Sequence, residues 1–357
     1  MADSPLLRVE GLSVGFARPD SSAPDLAVEE VSFTLRRGKT LCLVGESGCG
    51  KSVTALSIPR LLPSPPARLT GGAVFFEGRD LTLLAERELA PLRGSRMGMI
   101  FQDPMTSLNP VMRVGDQISE GLRLHKGLGT ASAQARAVTL LEKVGIASPE
   151  ERARNFPHHL SGGMRQRVMI AMALACDPSL LIADEPTTAL DVTVQRQILA
   201  LMRTLIRETG SGLLLITHNL GIVAQVADDL AVMYAGRIVE QGPAESVLAG
   251  PAHPYTLGLL RSLPVFPDEA DDPRASRLGA IPGIVPDPRN RPPGCAFHPR
   301  CARVLELCRR EVPPLFSSET GRRCRCWLHA GRPGGTLPAG KGRLTFEKNS
   351  GMGTDKV

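Results

Sequence analysis

Residues Gly45 to Ser52 read GESGCGKS and directly follow the apolar run Leu41, Cys42, Leu43, Val44. A glycine loop spaced Gly-x4-Gly-Lys-Ser is compatible with few folds, because its amides cradle phosphates only where a buried strand ends and a helix begins. The spacing therefore predicts a strand to Val44 and a helix from about Lys51. Gly45, Glu46, Ser47, Gly48, Cys49, Gly50, Lys51, Ser52 and Val53 form the candidate phosphate-binding set. Lys51 supplies a point charge for β and γ phosphates, Ser52 a hydroxyl for Mg²⁺, and the helix start adds a favourable dipole.

A second apolar run, Leu180 to Ala183, ends in Asp184 and Glu185, and Pro186 then closes the strand. Ligands of open α/β sheets bind at such carboxyl ends. Asp184 fits a partner to Mg²⁺ and Glu185 a base that orients an attacking water. His218 follows a third run, Leu213 to Ile216, placing an imidazole at another strand end. Gln102 follows the run Met97 to Phe101, and Phe16 lies in the early segment SVGFARP, where a single Phe is equally a core residue or a platform for a base.

Between these parts stands LSGGMRQR, Leu160 to Arg167. With it the chain resembles the nucleotide-binding subunits of the ABC ATPase family. Ser161, Gly162 and Gly163 precede a helix expected from about Met164 to Ala175 and offer a hydroxyl and amides to an anion. The resemblance implies that this surface grips the γ-phosphate of ATP held by a second subunit, so that hydrolysis needs a head-to-tail dimer. It also implies that Gln102 in FQDP is the Q-loop glutamine reaching Mg²⁺ and the γ-phosphate. Ala189, Leu190 and Asp191 match the D-loop, His218 in ITHN the switch histidine, and Phe16 the aromatic that stacks on adenine. The segment after Gln102, DPMTSLNPVMRVGDQI, would receive a permease's cytoplasmic helix; Pro104 and Pro110 keep it irregular, and Met105 and Met112 give adaptable apolar contact.

The expected fold class is α/β, a P-loop NTPase core with an antiparallel β subdomain, a helical insertion and a small Cys-rich C-terminal extension. Short apolar strands occupy residues 5–101, including Leu6 to Val14 and Ala73 to Phe76. Helical spacing of Ala133, Ala137, Leu140, Leu141 and Val144 marks an insertion over about 103–163. The α/β pattern then resumes and ends in a hairpin, Leu230 to Tyr234 and Arg237 to Glu240, turning at Ala235-Gly236. The nucleotide-binding domain is thus expected over 5–250, the extension over 251–331, and a disordered tail over 332–357, which is poor in core formers.

The 357 residues are 42% hydrophobic, enough for a sizeable core. The 42 basic and 36 acidic residues leave a charge of +6, but only 4% of residues are aromatic and no basic run interleaves with them, which argues against nucleic acid as a partner. No run of about 18 apolar residues exists, and the start MADSPLLRVE is too polar for a signal peptide, so a cytosolic chain that docks on a membrane partner is expected.

After Gly250 the composition changes. HPYTLGLL, from His253, opens a short helix to about Leu263, and PVFPDEADDPRAS links it to a cysteine cluster. This arrangement resembles the C-terminal extension of the oligopeptide and dipeptide importer ATPases. It implies ATP-driven uptake of peptides, or of a related small solute such as glutathione or a nickel chelate. The implied partners are a second, related ATPase subunit, two integral membrane permease subunits and an extracytoplasmic solute-binding protein, with this chain peripheral on the cytoplasmic face of the inner membrane. The alternative is a soluble ABC ATPase of the DNA-repair or translation type; the long heptad insertion of the first and the second ATPase unit of the other are both missing from the sequence.

Five of the eight cysteines fall between Cys295 and Cys326, and a cytosolic location disfavours a disulfide frame. Four thiolates suit iron-sulfur or zinc equally by softness, although no Cys pair separated by two residues is present. The importer resemblance implies a [4Fe-4S] cluster on Cys295, Cys301, Cys308 and Cys326, with Cys324 an alternative fourth ligand; zinc and free reduced cysteines are the other readings. The proline-rich segment is poor in apolar residues, so metal ligation is expected to supply part of its folding energy. Cys49 lies inside the glycine loop, where oxidation would block nucleotide binding.

Overall fold

The computed structural model describes residues 4–18, 21–187, 190–262, 280–318 and 321–330. The linker PVFPDEADDPRAS, the expected helix end at Leu263 and the expected disordered tail lie outside the described residues. The chain begins with β1 (Leu7–Arg18), β2 (Ser21–Leu35), β3 (Thr40–Val44), α1 (Lys51–Ser57), β4 (Ala67–Phe76), β5 (Arg79–Asp80), α2 (Glu86–Leu89) and β6 (Met97–Ile100). A helical region follows: α3 (Pro104–Ser107), α4 (Val114–Lys126), α5 (Thr130–Lys143), α6 (Pro149–Ala153) and α7 (Gly162–Leu174). Then come β7 (Leu180–Asp184), α8 (Val192–Thr209), β8 (Gly212–Thr217), α9 (Leu220–Val226), β9 (Asp229–Tyr234), β10 (Arg237–Pro243), α10 (Ala244–Ala249) and α11 (Pro254–Arg261), with β11 (Phe316–Ser317) and β12 (Arg323–Cys324) last.

Two sheets result. β2-β1-β4-β5 is antiparallel, and the larger sheet runs β11-β12-β10-β9-β3-β8-β7-β6 with β9, β3, β8, β7 and β6 parallel. The strands of this parallel centre are apolar on both faces because both are covered. Their alternation divides the core in two: Cys42, Val44, Leu181, Ala183, Leu213 and Leu215 face one cluster, whereas Leu41, Leu43, Leu180, Ile182, Leu214 and Ile216 face the other. The first is shared with the helical region, where Ala133, Ala137, Leu140, Leu141 and Val144 are all buried as their spacing predicts.

The hairpin β9–β10 turns at Ala235 and Gly236, both at positive φ, as the sequence predicts. β2 carries no comparable apolar run; Pro24 and small residues mask a strand made by pairing with β1. α7 starts at Gly162, two residues before the expected Met164, because Ser161 accepts a hydrogen bond from the Met164 amide and caps it.

The extension does not stand alone. Its strand β12 adds to the edge of the main sheet, pairing Cys324 with Glu240 and Arg323 with Gln241. Phe297 is buried against Tyr234 and Tyr255, with ring centroids 5.2 and 5.4 Å apart. Apolar packing missing within the segment is therefore found on the core. Glu240, 0% exposed, accepts from the amides of Ala252 (2.8 Å) and His253 (2.9 Å) and from the Arg322 guanidinium (2.9 Å). Among the described residues no helix is long and apolar enough to cross a membrane.

Removing one partner of a buried, hydrogen-bonded ion pair strands the other charge. Glu240→Ala is expected to cost about 3–5 kcal/mol and to open residues 280–330 to limited proteolysis before the strands of the core. Digestion kinetics in that segment unchanged from the parent chain would contradict this.

Candidate nucleotide site

β3 delivers the glycine loop to the carboxyl edge of the main sheet, and the loop is too crowded for side chains at two points. A Cβ on Gly45 would lie 2.2 Å from the Met233 carbonyl oxygen, and Gly50 holds φ 105° with the Ala27 carbonyl 2.8 Å from its would-be Cβ. Lys51, buried, donates from Nζ to the carbonyls of Gly45 (2.8 Å) and Glu46 (3.0 Å), which fixes the ammonium at the loop's centre. Cys49 is fully buried and its thiol is pushed up, burial being the main cause. The reactive thiolate that the oxidation expectation needs is suppressed there.

Parallel pairing sets Asp184 of β7 beside Ile216 of β8, just ahead of His218. Asp184 is buried, which raises its carboxyl above the usual range; a hydrogen bond with the Ser52 side chain pulls it down and neighbouring Glu185 raises it further. Its Oδ1 is buried without a hydrogen-bond partner. A buried carboxylate oxygen left over beside a hydroxyl is a donor set that fits a hard divalent cation, and Mg²⁺ is bound by one or two such oxygens together with substrate phosphates.

Glu185 follows at φ 45°, a strained conformation that turns its carboxylate out of the strand direction. Its amide donates to the Ile216 carbonyl at 3.0 Å. His218 Nδ1 lies 3.2 Å from Glu185 Oε2, and Gln102 Nε2 donates to the same oxygen at 3.4 Å. Gln102, Glu185 and His218 thus meet at one carboxylate oxygen, with Gln102 touching Glu185 rather than the Ser52–Asp184 pair.

Other expected residues lie apart from this group. Ser161 and Gly162 are exposed at the start of α7, with Gly163 half-buried. Asp191 caps α8, its Oδ1 accepting from the amides of Thr193 (3.0 Å) and Val194 (2.9 Å); Ala189 is outside the described residues. Phe16, half-buried on β1, lines a cavity of about 650 Å³ with Asp25, Ala27, Ser47, Gly48 and the extension segment 284–289.

Three contacts from the extension were not legible in the sequence. The Tyr255 hydroxyl accepts from the Glu46 amide at 2.9 Å. Arg300, its side chain 5% exposed, grips the Glu46 carboxylate through both terminal nitrogens at 2.6 and 2.9 Å. The HPY residues divide the work of placing that tyrosine. His253 Nδ1 accepts from the Tyr255 amide at 3.1 Å and caps α11, Pro254 opens the helix, and Tyr255 reaches the loop. Burial first, then His329, hold the His253 imidazole down to about 3, so it stays neutral and can accept.

The cysteine cluster departs from the expected ligand site. Among the described residues no three His, Cys, Asp or Glu side chains gather as a metal-ion site, and all eight cysteines are free. Cys324 and Cys326 sit in a small apolar cluster with Ala252, while Cys295 and Cys301 pack against the main core. Burial pushes Cys295 up to about 11 and Cys326 up to about 12, and Cys295, Cys301 and Cys308 add to the second shift. For Cys324 the causes after burial begin with Glu240.

A strand, glycine loop and helix, with paired carboxylates and a histidine on adjacent parallel strands, define a P-loop NTPase of the ABC ATPase class. Solved structures agree on the fold. A dimeric post-hydrolysis ATP-binding cassette, MJ0796 bound to ADP and Pi, matches with TM-score 0.60 at 24% identity, over 67% of this chain and 98% of that one. CbiO1 of Clostridium perfringens, part of an ABC transporter complex, matches with TM-score 0.57 at 27% identity, over 68% and 90%. The ABC transporter family matches residues 28–188, and the oligopeptide/dipeptide transporter C-terminal region matches residues 239–308. Two Bacillus subtilis proteins extend the likeness along the chain. The oligopeptide transport ATP-binding protein AppD is 48% identical over 91% of this chain and 97% of its own length, and OppD is 49% identical over 90% and 88%. The chain belongs to the ATP-binding proteins of the oligopeptide/dipeptide branch of ABC transporters.

Asp184→Asn keeps the shape of the site and removes the charge. Magnesium should then cease to strengthen nucleotide binding, as read by calorimetric titration with and without the ion. In the parent, protons should compete with magnesium for the Asp184 carboxyl, which burial raises in the metal-free chain, so that the magnesium effect weakens as pH falls.

Proposed function

We propose that this chain is the ATP-hydrolysing motor subunit of an importer of dipeptides and oligopeptides, working through a separate membrane permease. The observation that carries the reading is the carboxylate of Glu185, held by His218 and Gln102 next to the Ser52–Asp184 pair, in a chain of the oligopeptide branch. Residues 5–250 are read as the motor, with its helical part about 103–163, and residues 251–331 as the extension.

In this reading the amides from Gly45 to Gly50 and the Lys51 ammonium hold the ATP phosphates, and Phe16 meets adenine. Ser52 and Asp184, with Gln102 in reach of the γ-phosphate, would hold Mg²⁺, which when bound neutralises charge on the transferring phosphoryl group. Glu185 orients water in line with that group, and His218 fixes the carboxylate and donates to a γ-phosphate oxygen. Ser161, Gly162, Gly163 and Asp191 serve a neighbouring subunit's nucleotide, so two ATPase subunits form two composite sites. Two permease subunits and an extracytoplasmic solute-binding protein complete the assembly, with this chain peripheral on the cytoplasmic side of the inner membrane. Soluble repair or translation functions are disfavoured by the named peptide-transport relatives.

For the extension we retain the [4Fe-4S] cluster on Cys295, Cys301, Cys308 and Cys326 as a proposal. A single zinc needs four sulfurs about 2.3 Å from one ion, and among the described residues no group of side chains is gathered for either metal. A cluster gives each thiolate its own iron and tolerates wider spacing. Cys324 is the alternative fourth ligand in place of Cys326. Because these buried thiols are raised, ligation would have to displace their protons.

Three measurements test these readings. In proteoliposomes carrying the assembled importer, Glu185→Gln should bind ATP yet lower hydrolysis by about 10²-fold or more and abolish peptide uptake; near-normal turnover would sink the role of Glu185. Ser161→Arg should leave ATP binding by its own chain intact and block the facing site, so a Ser161→Arg homodimer with full ATPase would defeat the head-to-tail arrangement. Anaerobically purified protein should hold iron and sulfide at about four each per chain and lose both in Cys326→Ser but not Cys324→Ser; metal-free protein from iron-replete cells would remove the cluster.

A further inference from the structure

We infer that residues Ile284 to Arg289 of the C-terminal extension form the second wall of the nucleoside pocket, opposite Phe16, so that the extension helps to bind the base of ATP. The inference rests on the nucleotide reading of the site and adds a binding surface to it. The cavity beside Phe16 measures about 650 Å³, within the range of pockets that enclose small ligands. Phe16, Asp25 and Ala27, Ser47 and Gly48 of the glycine loop, and Ile284 to Arg289 of the extension line it together. A nucleotide whose phosphates lie in the loop has its nucleoside end in this space.

The chemistry of the far wall suits that occupant. Ile284 is 87% exposed, an aliphatic side chain in open solvent at the cavity mouth, with Val285 and Pro286 beside it. Such a side chain gains by covering one face of a base whose other face meets Phe16. Asp287, paired with Arg289 at 2.6 Å, places a carboxylate at the rim, an acceptor of the kind ribose hydroxyls use.

The wall is also fixed in place. Just beyond it, Arg291 pairs with Glu29 and donates to the Leu26 carbonyl, both on β2. Farther on, Arg300 holds Glu46 and donates to the Pro282 carbonyl at 2.8 Å, tying the segment's start to the glycine loop. A wall pinned at both ends is held ready for its ligand, which lowers the ordering cost of binding.

The test compares ligands with and without a nucleoside on the full chain. Ile284→Asp sets a charge against the base at a site too exposed to affect folding. ADP affinity should fall about five- to tenfold, inorganic tripolyphosphate affinity should not change, and Ile284→Leu should restore ADP binding. Unchanged ADP affinity in Ile284→Asp, with Phe16→Ala weakening it, would overturn the inference and leave the nucleotide reading standing. Equal weakening of ADP and tripolyphosphate would also overturn it, since the segment would then act through the loop. If Lys51→Ala left both ligands bound at parent affinity, the nucleotide reading itself would fall.

Discussion

Parallel pairing of β3, β8 and β7 is the constraint from which the site follows. Val44 pairs with Thr217, and Ile216 with Asp184, so three strands end level with one another. The glycine loop, the two carboxylates and the histidine are far apart in sequence, yet Asp184 ends its strand and Gly45, Glu185 and His218 directly follow theirs. Their mutual distances are therefore set by hydrogen-bond register in a buried sheet, which is stiffer than any loop. Because side chains alternate across that sheet, a slip of one residue would exchange the two core clusters and withdraw the carboxylates together.

The extension modifies this arrangement at one position. Glu46 puts an acidic side chain in a loop whose amides face phosphate, an arrangement that would repel the ligand if the carboxylate were free. Arg300 takes up that charge with two hydrogen bonds, and the Tyr255 hydroxyl engages the amide of the same residue. The loop and the extension are thus parts of one electrostatic unit, although about 250 residues separate Glu46 from Arg300 in the chain.

Most of the site was legible because its chemistry sits in contiguous motifs. Lys51, Asp184, Glu185 and His218 each follow an apolar run that must be a buried strand, and period and position place them without knowledge of the fold. The first half of β2 was not legible, since Pro24 and small polar residues carry no strand pattern there and it forms by pairing with β1, whereas Val31, Phe33 and Leu35 alternate as a strand should. Nothing in the local sequence around Arg300 points to Glu46. Tyr255 was noticed as part of HPYT but not as a contact of the loop. Asp191 also has a local role that its motif did not show, its oxygen capping α8. Contacts between distant segments leave no periodicity, so a single sequence withholds them.

The addition of β12 to β10 also bears on how the chain can be cut. Ending it near Gly250, where the composition changes, would uncover the backbone edge of β10 at Glu240 and Gln241, where β12 pairs, and leave Glu240 without Arg322. Such an edge invites pairing with another molecule. The compositional boundary is therefore not a structural one: the extension serves as the edge guard of the motor's own sheet, and a motor expressed without it would be prone to stick to itself.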